Sequence, residues 1–218
     1  MSVWAVLAAA GRGERLGDDR PKAFARLGNL PLVAEPLRRL DDSEWIDGII
    51  VAAPPGWEEP VIVLAEELAA GKVRSVVTGG DTRAASVRAA LAETPDEAAV
   101  IVVHDAARPL LTDEVLGRVI APLSEGYEGA VPVLPVADTV KRVERDEVVE
   151  TLDREGLVVS QTPQAFLADA LRRAAAGEGT DCASLVEAQG GRIKAVAGDP
   201  RLVKVTSPDD LELVASWL

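Results

Sequence analysis

Four cations fall within eleven residues of the stretch LAAAGRGERLGDDRPK, from Leu7 to Lys22: Arg12, Arg15, Arg20 and Lys22. Gly11 and Gly13 stand among them, directly after a short apolar run. A glycine loop at a strand end lets backbone N–H groups turn toward an anion. Arginine adds a planar fork for phosphate oxygens, and lysine a mobile point charge. A dinucleotide fingerprint needs a third glycine three residues after the second, but that position is Leu16 and the next glycine is Gly17. A Walker loop ends in Gly-Lys-Ser/Thr, which this stretch lacks. Two readings stay open on these residues alone: a cradle for a triphosphate, or a surface turn with solvated cations.

Other stretches carry candidate chemistry. In VHDAARP (103–109), Asp105 ends an apolar run, where a carboxylate is costly unless it is used. Arg108 stands next to Pro109 in the loop that follows. His104 invites an acid–base role, but a packed strand-end histidine is the preferred reading. In GGDTRAASV (79–87), Gly79-Gly80 permits close backbone approach and Asp81 is placed to cap a helix. Lys204, in the apolar run RLVKVT, needs an anion or an exit to water. There is one histidine and no Ser-His-Asp set. A redox or metal role for the single cysteine, Cys182, is not favoured.

These stretches together resemble a known family. Ala9, Ala10, Gly11, Gly13, Arg15, Pro21 and Lys22 match a nucleotidyltransferase signature. With GGDTRAASV, VHDAARP, DTVKRV (138–143), QTPQAF (161–166) and LVKVT (202–206), the chain is similar to the 2-C-methyl-D-erythritol 4-phosphate cytidylyltransferases from residue 3 to about residue 215. The resemblance implies transfer of CMP from CTP to methylerythritol phosphate, with release of pyrophosphate. It implies Mg²⁺ as cofactor, and a homodimer in which an arm reaches into the partner's site. By the same resemblance, Arg15 and Lys22 hold the triphosphate, and Ala9, Ala10, Gly11 and Gly13 supply backbone contacts. Gly80, Asp81 and Ser86 face the cytidine. Asp105, Arg108, Thr139, Thr162 and Thr206 bind the acceptor, with Arg154 and Lys204 as cationic catalytic groups there. Asp105 is also a possible ligand for Mg²⁺, which the CTP phosphates mainly hold. One departure stands out: the family's Thr-Asp is usually followed by an acidic residue, and Thr180-Asp181 is followed here by Cys182. Glycine loop and HDAARP alone do not separate this acceptor from ribitol phosphate.

The chemistry suits the side chains. A phosphomonoester has a second pKa near 6, so the attacking phosphate is mostly a dianion at pH 7. It needs no general base, and the barrier is charge repulsion and alignment, which cations and positioning lower.

Elements must place these groups. SVWAVLAAA (2–10), GIIVAAP (48–54), KVRSVVTGG (72–80) and AAVIVVHDA (98–106) read as buried strands, and the pattern changes after EGAVPVLPV (128–136). PLVAEPLRRL (31–40), WEEPVIVLAEELAA (57–70) and DTRAASVRAALAE (81–93) read as helices, with Pro36 and Pro60 in doubtful early turns. The alternation predicts an α/β, Rossmann-like, mostly parallel sheet with helices on both faces and ligands at the strands' carboxyl ends. Residues 137–157 alternate polar and apolar and read as an inserted β-arm. QTPQAF reads as a turn into a helix, TDCASLVEAQGG (180–191) as a helix capped by Thr180 or Asp181, and RIKAVAG as a last strand. The last helix is capped by Ser207, with Pro208 at its first position. The expectation is one domain over 1–218 with the arm as an insertion.

Composition bounds the rest. The chain has 218 residues, enough to bury roughly 70% of its unfolded surface. Net charge is −13, which argues against broad nucleic-acid binding and requires any anion site to concentrate its cations locally. Eighteen of the 23 basic residues are arginine. One cysteine permits no internal disulfide, and no apolar run approaches the roughly 20 residues of a membrane span. A cytoplasmic location, with no nucleic-acid or membrane partner, is the expectation.

Overall fold

The computed structural model describes residues 1–11, 13, 20–177, 179 and 181–218. The chain begins with strand β1 (Val3–Ala8), then a short hairpin of β2 (Arg26–Leu27) and β3 (Leu30–Pro31). Three strand–helix steps follow: α1 (Ala34–Asp42) and β4 (Gly48–Ala53), α2 (Glu58–Glu67) and β5 (Val73–Thr78), α3 (Arg83–Ala92) and β6 (Val100–Asp105). Next come α4 (Asp113–Ile120), β7 (Gly129–Pro135), the pair β8 (Val140–Glu144) and β9 (Glu147–Leu152), then β10 (Val158–Ser160) and β11 (Gln164–Leu167). The chain closes with α5 (Ala168–Ala174), α6 (Cys182–Ala188), β12 (Ile193–Ala197) and α7 (Pro208–Ala215).

The main sheet runs β10-β7-β11-β6-β1-β4-β5, with β12 beside β7. β6, β1, β4 and β5 are mutually parallel. β11 is antiparallel to both β6 and β7.

The two faces are covered by separate apolar layers. Side chains alternate across a strand. Accordingly Ala5, Leu7, Ile49, Val51, Val100 and Val102 join one core with Leu37, Leu64 and Leu116 of α1, α2 and α4. Val6, Ile50, Ile101 and Val103 join the other with Leu91, Leu171 and Leu185 of α3, α5 and α6. Each fully buried Leu or Ile contributes roughly 1.5–3 kcal/mol, which fixes the strand ends where the loops emerge. Pro36 and Pro60 are third in their helices; first-turn N–H groups have no intrahelical partner, so proline costs nothing there.

A third, smaller cluster of Leu27, Leu32, Leu110, Val205 and Val214 anchors the segment before α7. That segment joins no strand ladder, and Val205 N–H donates to the Ala107 carbonyl at 2.8 Å. α7 has the expected start: the Ser207 hydroxyl accepts from Asp210 N–H, and Pro208 is first.

Two expectations need adjusting. QTPQAF is not simply a turn, since Gln164–Leu167 forms β11, wedged between β6 and β7. Four residues show no period, and their partners are distant in sequence. The cap of α3 is Thr82, whose side chain accepts from Ala85 N–H, not Asp81. Asp181 caps α6; Thr180 lies outside the described residues. α4 carries an amphipathic pattern that the sequence reading did not use.

The 137–157 arm matches its expectation. Among the described residues β8 and β9 pair only with each other, and their side chains are mostly exposed. Arg145 and Asp146 join them with φ of 47° and 69°, the twist a two-residue hairpin turn requires.

Candidate active site

A cavity of about 640 Å³ opens at the carboxyl ends of β1, β4, β5 and β6. Ala9, Ala10 and Gly11 line it beyond β1, Pro54, Pro55 and Trp57 beyond β4, and Gly80 and Asp81 beyond β5. Asp105 and Ala106 line it at the end of β6, and Arg20, Lys22, Ser86 and Lys204 also face it.

Close packing shapes the glycine end. A Cβ on Gly79 would lie 2.2 Å from Ala10 Cβ and 3.0 Å from the Ala53 carbonyl oxygen. Only a glycine lets β5 approach the first loop this closely. Gly13 has φ of +71°, and a Cβ there would meet Lys22 Cβ at 2.5 Å. Gly80 N–H donates to Ser86 Oγ at 3.1 Å, and Ser86 Oγ donates to the Thr82 carbonyl at 3.0 Å. Lys22 opens a short 3-10 helix, Lys22–Phe24, and the Phe24 ring packs on Trp57 at 4.4 Å between centroids.

The other end is built around Asp105. Its side chain is only 9% exposed. Arg83 Nε donates to Oδ1 at 2.8 Å, and Lys204 Nζ donates to Oδ2 at 2.7 Å. Burial alone would raise the carboxyl pKa; the Arg83 and Lys204 charges outweigh it and hold the group well below the usual range. Lys204 thus finds the anion that its apolar surroundings required.

His104, beneath Asp105, is fully buried. Its Nε2 lies 2.9 Å from the Arg108 carbonyl oxygen, which can only accept. Nε2 therefore carries the proton, and Nδ1 accepts from Thr162 Oγ1 at 3.2 Å. Thr162 Oγ1 in turn accepts from Asp105 N–H at 3.1 Å. Burial pushes His104 down to about 4. It is a neutral packed histidine, which is the preferred reading of the sequence.

Of the residues proposed for the site, Ala9, Ala10, Gly11, Lys22, Gly80, Asp81, Ser86, Asp105 and Lys204 share this cavity. Arg15 lies outside the described residues. Gly13 packs behind Lys22. Arg108 does not line the cavity: its Nη1 donates to the Leu202 carbonyl at 2.6 Å, and its Nε is buried without a partner among the described residues. Thr162 is buried in the hydrogen-bond chain above. Thr206 gives its N–H and hydroxyl to Asp210 at 2.7 and 2.8 Å, at the entrance to α7. Thr139 and Arg154 lie at the foot of the arm, exposed, with Arg154 Nη1 donating to the Ala137 carbonyl.

Mg²⁺ is ordinarily bound by one or two carboxylates plus substrate phosphates. Both Asp105 oxygens are on cations, and no group of three or more His, Cys, Asp or Glu side chains among the described residues could hold a metal ion. Asp105 therefore does not fit the role of magnesium ligand in this arrangement.

The family model for 2-C-methyl-D-erythritol 4-phosphate cytidylyltransferase matches residues 3–218. The chain belongs to this cytidylyltransferase family. A protein of that name from Nocardia farcinica is 46% identical, over 100% of this chain and 94% of its own. One from Geobacter metallireducens is 39% identical, over 100% and 98%. Among solved structures, a 4-diphosphocytidyl-2C-methyl-D-erythritol synthase superposes with a TM-score of 0.84 at 34% identity, over 99% of this chain and 97% of that one. The Thermus thermophilus 2-C-methyl-D-erythritol 4-phosphate cytidylyltransferase gives 0.79 at 33% identity, over 97% and 96%.

Within this cytidylyltransferase, sequence reasoning overlooked Arg83 and Trp57. Arg83 sits inside GGDTRAASV, first in α3, and its fork joins Asp105 to Cys182 Sγ, 3.6 Å from Nη1. An arginine opening a helix gives no hint of a partner 22 residues away. Trp57 precedes α2 in a turn whose aromatic ring reads equally well as core.

Proposed function

We propose that this cavity is where CMP passes from CTP to 2-C-methyl-D-erythritol 4-phosphate, the reaction of the family, which forms 4-diphosphocytidyl-2-C-methyl-D-erythritol and releases pyrophosphate. The observation that carries the placement is that one cavity joins Gly80, Asp81 and Ser86, through Ala10 and Lys22, to Asp105 and Lys204. Cytidine takes the first end, lined by Gly80, Asp81 and Ser86, where the bond from Gly80 N–H to Ser86 Oγ fixes the backbone. The triphosphate lies on the loop after β1 with Lys22, and with Arg15 from the same loop. The acceptor enters at Asp105 and Lys204.

The acceptor phosphate attacks the α-phosphorus as a dianion, so no side chain removes a proton. Lys22, and Arg15 with it, stabilise the charge that develops on the α-phosphate, each by roughly 2.7–4 kcal/mol. Mg²⁺, which the resemblance implies, would be held by the phosphates of CTP and would neutralise part of their charge. The chain acts as one nucleotidyltransferase domain with its arm inserted. The setting is cytoplasmic, in keeping with the free, buried thiol of Cys182.

Thr139 and Arg154 stand outside the cavity of their own chain, which supports a homodimer with each arm at its partner's acceptor site. Complementation tests this. Lys22→Ala and Arg154→Ala should each lower kcat by about a hundredfold or more with little change in melting temperature. Equal mixtures should recover about a quarter of wild-type activity, because half the two-fold dimers regain one intact site. No recovery in confirmed mixed dimers would show that the arm serves its own chain.

A further inference from the structure

Asp105 has two cations, and they are not equivalent. Lys204 is 43% exposed, on a stretch without ladder hydrogen bonds, and its ammonium reaches Asp105 from the cavity side on a flexible stem. Arg83 is 26% exposed and rooted at the first position of α3. Its guanidinium is held at two points, Nε on Asp105 Oδ1 at 2.8 Å and Nη1 on Cys182 Sγ at 3.6 Å. The remaining nitrogen, Nη2, is buried and has no hydrogen-bond partner among the described residues. Arg83 is thus a fixed charge already committed to Asp105, and Lys204 a movable one.

We propose that Arg83 is a positioning residue: the standing counter-ion of Asp105 that frees Lys204 to carry the acceptor's phosphate. The inference rests on reading Asp105 and Lys204 as the acceptor end of the cavity. A buried carboxylate stripped of its cation is strongly unfavourable. With Lys204 as its sole cation, Asp105 would compete with the incoming phosphate for that ammonium. Arg83 removes the competition, because Asp105 stays paired when Lys204 swings away. Its contact with the Cys182 thiol, rather than with a second carboxylate, leaves that charge undivided. Burial pushes the thiol pKa up, against the pull of Arg83, so the thiol stays neutral.

Steady-state kinetics with both substrates varied, beside thermal melts, tests this. Arg83→Gln should raise KM for methylerythritol phosphate about tenfold or more and leave KM for CTP within about twofold. Arg83→Lys should recover most of the loss, because the charge matters rather than the fork. On an Asp105→Asn background, Arg83→Gln should add little, since no carboxylate remains to hold Lys204. Equal rises in both KM values, no recovery in Arg83→Lys, or multiplicative losses in the double variant would overturn the inference. If Arg83→Gln fails to fold, Arg83→Lys decides alone: acceptor KM within about threefold of wild type supports the proposal, and a tenfold rise contradicts it. A wild type inactive with CTP and methylerythritol phosphate would reject the site reading itself. An active wild type with normal acceptor KM in Arg83→Gln rejects only the role of Arg83.

Discussion

His104 and Asp105 are neighbours with opposite electrostatic fates. Asp105 is ionised because two cations reach it, and His104 is neutral because burial disfavours its charged form. Both fates bear on stability, in different pH windows. His104 ordinarily titrates near 6.5 and is pushed down to about 4 by burial. As pH falls below 6.5, the unfolded chain takes up this proton first. The stability contribution is therefore complete above 6.5 and is lost on the way to 4, at most about 3 kcal/mol. Asp105 has its pKa lowered, so its contribution is present above the ordinary carboxylate range and is lost only in stronger acid. Urea unfolding from pH 7 to 4.5 checks the first window. Wild type should weaken steadily, and His104→Gln, less stable at pH 7, should weaken less. Parallel slopes would show that His104 is not the group responsible. The motif sequences made both residues visible, but their states depend on Arg83, Lys204 and Thr162, which come from three other parts of the chain.

At the level of elements, the loop after β1 works because β5 ends in a glycine pair. Gly79 leaves no room for a Cβ beside Ala10 and the Ala53 carbonyl. Gly79→Ala should push the loop outward, raising KM for CTP at least about tenfold while costing roughly 1–3 kcal/mol in stability. Kinetics and melts on one preparation check this, and an unchanged KM for CTP would contradict it. The parallel strands were legible because each is a continuous apolar run flanked by turn residues, as in GIIVAAP. The arm was legible from its alternation. β11 was not, because Gln164–Leu167 is defined by two antiparallel neighbours and not by any local pattern. The α3 cap was misplaced by one residue: Asp81 and Thr82 are both good caps, and only the backbone path selects Thr82.

Across the whole molecule, a net charge of −13 coexists with Arg20, Lys22, Arg83 and Lys204 around one cavity. This is the local concentration of cations that an anionic substrate requires. The end of the cavity proposed for the nucleotide gathers residues that lie in contiguous motifs at strand ends. The end proposed for the acceptor gathers fewer of the residues expected there. Arg108, Thr162 and Thr206 make internal hydrogen bonds, and Thr139 and Arg154 lie on the arm, outside the cavity of their own chain. Motif order along the chain carries no information about how far an arm residue stands from the cavity.

Pyrophosphate release by the purified protein with Mg²⁺, across four nucleotides and three acceptors (methylerythritol phosphate, ribitol phosphate and glucose 1-phosphate), tests the central claim most directly. Rapid release is expected with CTP and methylerythritol phosphate together, and much less with any other pair. No release with that pair, or faster release with ribitol phosphate, would contradict it.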